Sequence, residues 1–156
     1  MGNEIAMFRE WDETKETDYF LRKYPLHDSF NRYIADLNGI YKKTPALYEK
    51  DYEPDGFEWI AINDMQGNVY GIRRNGKEKS VIAFFNFSDK ARFYIYTPKR
   101  DETLRLLLHT DWDIYSGTVP FAEDPKPVKA RGIGGARIDL PAFSAVLYEV
   151  SRDSKP

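Results

Sequence analysis

The sequence predicts a mainly β protein, an antiparallel β-sandwich preceded by a short helical segment. Three observations carry this. The hydrophobic pattern changes period near residue 50, from helical before it to alternating after it. Seven short runs rich in β-branched and aromatic residues follow, separated by turn residues and not by helices. Aromatic residues reach 15% of the 156-residue chain, which suits strands and sandwich cores.

The segment from Tyr19 to Tyr24 reads as a short helix ended by Pro25. In DSFNRYIADLNGIYKK, the residues Phe30, Tyr33, Ile34, Leu37 and Ile40 or Tyr41 recur at i, i+3, i+4 and i+7, so a helix is predicted over 28–43. Asp28 or Ser29 suits its N-cap, and Lys42 and Lys43 suit the negative end of its dipole. Pro45 stops it, and Pro45-Ala46-Leu47-Tyr48 predicts one further turn.

Strands are predicted over 57–62, 69–74, 80–87, 91–97, 103–110, 136–140 and 145–150. Turn signals lie at Asp64 to Asn68, Asn75-Gly76, Ser88-Asp89 and Pro98 to Asp101. Asn75-Gly76 predicts a hairpin with a type I′ turn, whose two central residues need positive φ. In the third run Val81, Ala83, Phe85 and Phe87 share one face while Ile82 and Phe84 share the other, which predicts a central strand covered on both sides. The Gly- and Pro-rich stretch from Ser116 to Gly135 predicts a surface loop.

Composition narrows the function classes. A net charge of -2 argues against a nucleic-acid surface. With no cysteine there is no disulfide framework or thiolate metal site. No run has the length of a membrane span and the N-terminus has no signal pattern, so a cytoplasmic protein is expected. Asn86-Phe87-Ser88 matches a glycosylation sequon, discounted in that setting. The glycines of GIGGARI precede a strand and do not open a helix, which makes a phosphate loop a poor reading, and no cofactor is expected. His27 and His109 have no metal-ligand spacing and are expected to be structural.

The N-terminal stretch holds Glu4, Glu10, Asp12, Glu13, Glu16 and Asp18. Retaining glycosidases hold two carboxyl groups about 5–5.5 Å apart across the bond they cut. A run of carboxylates is also what a solvated surface looks like, and the spacing leaves both readings open. Glu4 stands out because it borders an apolar segment.

MGNEIAMFREW, YPLHDSFNRYIADLNGIYKKTPALYEKDYEPDGFEWI, FFNFSD, LLLHTDWDIYSG and IDLPAFSAVLYEV, in this order, resemble the C-terminal portion of 1,4-α-glucan branching enzymes. The resemblance covers nearly the whole chain and is weakest at 121–135 and the last six residues; it departs at Ala6 and Met7. It implies membership of the α-amylase superfamily. There a catalytic (β/α)8 barrel cuts an α-1,4 chain, rejoins it through an α-1,6 link with retained configuration, and is followed by an all-β domain.

On that resemblance, residues 1–50 correspond to the loop after the last barrel strand plus the final barrel-side helix, and residues 51–156 to the C-terminal sandwich. Asn3, Glu4, Arg9 and Trp11 then become expected substrate-binding residues, because barrel enzymes place their chemistry at the C-terminal ends of the strands. The family's nucleophile, general acid and stabilising aspartate lie on earlier strands whose motifs this chain lacks. No catalytic residue is therefore expected in it, and the chain reads as a fragment or truncated product without branching activity of its own. The expected partners are an α-glucan and the N-terminal barrel, with no nucleic acid, membrane or metal. Two further readings are a stand-alone carbohydrate-binding module and a purely structural β-sandwich.

Overall fold

The computed structural model describes residues 1–62 and 67–152. Short 3₁₀ turns at Asn3–Ile5 and Tyr19–Lys23 lead into one helix, α1 (Pro25–Lys43). Two more turns, Pro45–Leu47 and Pro54–Gly56, lead into the strands β1 (Phe57–Ala61), β2 (Val69–Asn75), β3 (Ser80–Asn86), β4 (Arg92–Tyr96) and β5 (Glu102–His109). A turn at Asp113–Tyr115 precedes β6 (Val128–Ala130), β7 (Ala136–Leu140) and β8 (Ala145–Arg152). Six strands form one antiparallel sheet in the order β1-β2-β3-β8-β5-β6, and β4 and β7 pair as a second.

The two sheets enclose a core of Ile82, Phe84, Leu104, Ile138, Leu140 and Val146, with Tyr96 and Tyr148 among them. Strand β3 is the centre of the larger sheet and is buried on both faces, as its double apolar pattern predicts. Ile82 and Phe84 point into the sandwich. Val81 (1% exposed) and Ala83 lie on the opposite face and are buried outside the inter-sheet core. That face is met by the residues before β1. The 45–47 turn packs on β2 and β3, and Phe30 and Tyr33 of α1 share a groove with Phe85 and Ala145.

Four expectations need correction. Helix α1 begins at Pro25, three residues before the expected start. Tyr24 is its N-cap residue with no side-chain cap, and Pro25 opens the helix because that position has no N–H bond to lose. Asp28 sits in the first turn, where its charge suits the helix dipole.

The Asn75-Gly76 hairpin forms without a type I′ turn. Neither residue has positive φ, Asn75 pairs with Ser80, and the loop spans 76–79 with the Gly76 N–H bonded to the Lys79 carbonyl. Glycine is needed at 76 for another reason: a Cβ there would lie 2.7 Å from the Lys79 carbonyl oxygen and 3.0 Å from the Ala46 Cα, and would press on a carboxylate oxygen of Glu49. That oxygen accepts the Lys77 N–H at 2.7 Å and ties the leader to the hairpin.

The expected loop of 116–135 contains β6, which extends the larger sheet at β5. Strand ends also shift by one or two residues, most at β8, which runs on to Arg152. The turn expected at Asp64 to Asn68 lies largely outside the described residues.

Asn86 at the end of β3 is 1% exposed. Its amide donates to the carbonyls of Lys90 (2.8 Å), Leu140 (3.2 Å) and Pro141 (2.8 Å). Its Oδ1 accepts the N–H and the hydroxyl of Ser88. The sequon residues thus pin three chain segments together, and the amide is sealed away from modification. Asn86→Ala is expected to lower stability by about 2–4 kcal/mol, because it strands buried backbone groups at once. Urea denaturation measures this, and a loss under 1 kcal/mol contradicts the pinning role.

His109 is 7% exposed, and its Nδ1 accepts the Asp111 N–H at 3.1 Å, so the fold holds the neutral ring. Burial pushes its pKa down. The stability this contributes is full above the unfolded value of about 6.5 and is lost as pH falls from there toward the folded value. His109→Asn, which keeps an acceptor in that place, is expected to flatten the stability profile between about pH 6.5 and pH 5. Equilibrium unfolding across that range tests it, and an unchanged slope rejects it.

Candidate functional site

The first 24 residues form a loop that meets α1 at both the 3–5 turn and the 19–23 turn. Gly2 takes φ 87° and Ala6 φ 49°, both left-handed. The Ile5 and Met7 N–H groups both bond to the Gly2 carbonyl, which closes a tight turn. A side chain at position 2 would also collide with Met7, so glycine is required there twice over. The turn drives Ile5 inward until it is fully buried. Two helix side chains, one turn apart, then satisfy the loop's carbonyls. His27 Nδ1 donates to the Ile5 carbonyl at 2.7 Å, and Asn31 donates to that of Glu4 at 3.0 Å. His27 is thus structural, as expected.

The four expected substrate residues differ in their surroundings: Glu4 and Arg9 are bonded within the leader, and Asn3 and Trp11 are exposed. Asn3 is exposed on the anchoring turn. Glu4 accepts the Tyr19 hydroxyl at 2.7 Å, which lowers the Glu4 pKa and raises that of Tyr19. Arg9 forks onto Asp18, with Nε and Nη2 each 2.9 Å from a carboxylate oxygen, and Nη2 also bonds the Glu16 carbonyl. The bond to Arg9 lowers the Asp18 pKa, and its return effect raises that of Arg9. Trp11 stands at the tip, 51% exposed. Asp12, bonded to Lys15 and Thr14, is held down at about 2.

Glu4, Asp12 and Asp18 are each engaged by a different local partner, so these carboxylates brace the loop. Among the described residues no cluster of three metal-ligating side chains occurs. The leader does present an aromatic surface, with Phe8, Trp11, Tyr19, Phe20 and Tyr24 all more than half exposed. The Phe8 ring packs edge-on against His27 at 4.9 Å. Sequence reading missed Tyr19, Asp18 and Asn31 as the braces. The spacing of His27 and Asn31, four residues apart on one helix face, is the signal that was available.

A second concave region lies at the far end of the sandwich, a cleft of about 780 Å³ between β1, β2 and β4. Its floor is a buried polar network. Arg73 forks onto Glu102 at 3.0 and 3.2 Å and donates to the Tyr96 hydroxyl at 2.9 Å. Tyr96 in turn donates to Glu102 at 2.7 Å. Asn75 accepts from Arg73 Nε and from Ser80. Burial, first, and the Glu102 carboxylate push the Tyr96 pKa up. The signal in the sequence was a charged residue on the inward register of a strand, Arg73, in line with Gly71 and Val69.

The sandwich and its leader now define a class. Residues 59–151 match the family model of the alpha amylase C-terminal all-beta domain, and the chain belongs to that family. Beyond the domain, the whole chain matches the C-terminal region of 1,4-alpha-glucan branching enzymes. It is 39% identical to the 1,4-alpha-glucan branching enzyme GlgB of Oceanobacillus iheyensis over 165 aligned residues, covering 100% of this chain and 26% of that enzyme. It is 34% identical to the GlgB of Rhizobium radiobacter over 152 residues, covering 96% of this chain and 21% of that enzyme. The chain therefore spans about a fifth to a quarter of the length of these relatives.

Solved structures agree on the fold. The trehalulose synthase MutB from Pseudomonas mesoacidophila superposes with a TM-score of 0.52 at 21% identity, over 80% of this chain and 18% of that one. The isomaltulose synthase from Erwinia rhapontici gives 0.52 at 15% identity, over 78% and 18%.

The Arg9–Asp18 fork should decide whether the leader keeps its shape. Arg9→Ala or Asp18→Asn is expected to speed hydrogen exchange and protease cleavage between Phe8 and Phe20 while leaving the exchange of β3 and β8 unchanged. Equal protection in variant and parent would show that the fork is dispensable.

Proposed function

We propose that this chain is the non-catalytic C-terminal part of a 1,4-α-glucan branching enzyme, supporting the catalytic barrel and the rim of its active site. One observation carries the reading. The family model begins at residue 59, yet the likeness to branching enzymes runs through the leader and α1 as well, over 96–100% of the chain. A generic sandwich would share only the second part.

In this reading residues 1–50 pack as part of the barrel, and residues 51–156 form the domain behind it. The exposed aromatics of the leader are the surface that the rest of the barrel and the glucan cover. Trp11 and Asn3 face outward and meet the glucan, Trp11 by stacking on a sugar ring and Asn3 by bonding its hydroxyls. Glu4 and Arg9 set the loop's shape through Tyr19 and Asp18. The carboxylates that form and resolve the glycosyl intermediate belong to the barrel strands. The substrate is then an α-glucan, and the working site is cytoplasmic.

Reconstitution tests this. The chain alone is expected to leave the iodine–amylose spectrum unchanged, and co-expression with the preceding residues of a branching enzyme relative is expected to restore branching. In the reconstituted enzyme, Trp11→Ala is expected to lower kcat/KM by about fivefold, in line with loss of about 1 kcal/mol of stacking. Branching by the chain alone, or reconstitution indifferent to this chain, refutes the assignment.

A further inference from the structure

We propose that Tyr115 is a positioning residue: with Ser116 it clamps α1 onto the sandwich and so fixes where the leader holds Trp11 and Asn3. Among the described elements after residue 50, the Asp113–Tyr115 turn makes the most extensive contact with α1. The Tyr115 hydroxyl donates to Asp36 at 2.8 Å, and its ring meets that of Tyr33 at 5.5 Å and 71°. The Ser116 hydroxyl donates to that of Ser29 at 2.9 Å. Ser29, Tyr33 and Asp36 recur at i, i+4 and i+7, so they form one stripe of the helix. His27 and Asn31, which hold the leader's carbonyls, lie on the opposite side, since two positions along a helix turn it by about 200°. The N-terminal half of α1 is thus gripped from two sides, by the leader on one and by the sandwich on the other.

The sandwich side of this grip is stiff. The turn continues from β5 and closes on itself: the Val119 N–H bonds the Asp111 carbonyl and the Asp113 N–H bonds the Val119 carbonyl, both at 2.8 Å. A Cβ at Gly117 would collide with the Asp111 backbone, so the loop closes only with glycine there. Trp112, which is buried, roots the turn in the sandwich, with the Phe121 ring edge-on to it at 5.0 Å. Ser116 takes φ 65°, a left-handed position uncommon outside glycine, at the point where it meets Ser29. The helix needs such a mount, because none of its own residues is buried and packing alone leaves its tilt loosely set. Burial, first, and the Asp36 carboxylate hold the Tyr115 pKa well above its usual value, so the hydroxyl keeps the proton it donates.

The effect on substrate rests on the branching-enzyme reading, and the clamp itself does not. In the 156-residue chain, residual dipolar couplings report how α1 lies on β3 and β8, and one orientation is expected to fit helix and strands together. Tyr115→Ala is expected to shrink the α1 couplings and break that common fit while those of β3 and β8 hold. Should Tyr115→Ala disturb the turn, Asp36→Ala, at an exposed position, is expected to do the same. Asp36→Asn, which keeps an acceptor for the hydroxyl, is expected to retain the fit. In the reconstituted enzyme Tyr115→Ala is expected to lower kcat/KM about threefold when Trp11 is present and to add no further loss to Trp11→Ala, because both losses run through the same ring. An α1 that keeps its fit in both alanine variants, or losses at Tyr115 and Trp11 that simply multiply, overturns the proposal. Absence of branching with the α1 couplings behaving as expected would reject the assignment of the chain and leave the clamp standing.

Discussion

Strand β3 is apolar on both faces, and a sheet with such a strand at its centre needs two covers. The pair β4 and β7 supplies one, and Ile82 and Phe84 meet it. The residues before β1 supply the other, over Val81 and Ala83. Most of the architecture follows from this demand. The helix has no buried residue of its own, and its apolar face is only half covered. It earns its place as part of a lid on the sheet, and through His27 and Asn31 it orders the loop in front of it.

The two ends of the sandwich solve the remaining problem, polar groups within an apolar frame, in different ways. At one end Asn86 spends a single buried amide on three carbonyls from two other segments. At the other, Arg73, Glu102 and Tyr96 neutralise one another beneath an open cleft. The first arrangement closes the structure and the second leaves it a concave surface. Buried ion pairs of the second kind contribute little net stability against apolar replacements, so shape and rigidity are the stronger reason for it.

Much of this was legible in the residues, for identifiable reasons. The strands declare themselves because alternation is local, and β3 declares its central place because both of its faces are apolar. Helix α1 shows its period but not its start, since Pro25 serves equally as a stop for one turn and the first residue of the next element. Strand β6 has three residues set among prolines and glycines, too few for alternation to register. The Asn75-Gly76 pair marked a hairpin correctly and its turn type wrongly, because glycine is demanded there by close backbone, including that of Ala46 from 30 positions away. The same distance effect hid the braces of the leader. Arg9 and Asp18, or Arg73 and Glu102, meet only once the fold exists, and no short-range spacing reports them.

The contact of Glu49 and Ala46 with the 76–79 loop has a consequence for what counts as a unit. The stretch shared across the family starts at residue 59, but the packing that completes the sheet starts at least thirteen residues earlier. What is inherited as a module is therefore smaller than what folds as one. A sandwich excised at the family boundary would carry a bare, water-facing Val81, and a foreign domain grafted in front of it would have to bring its own lid. The joint between the two halves of this chain is a shared wall and not a hinge.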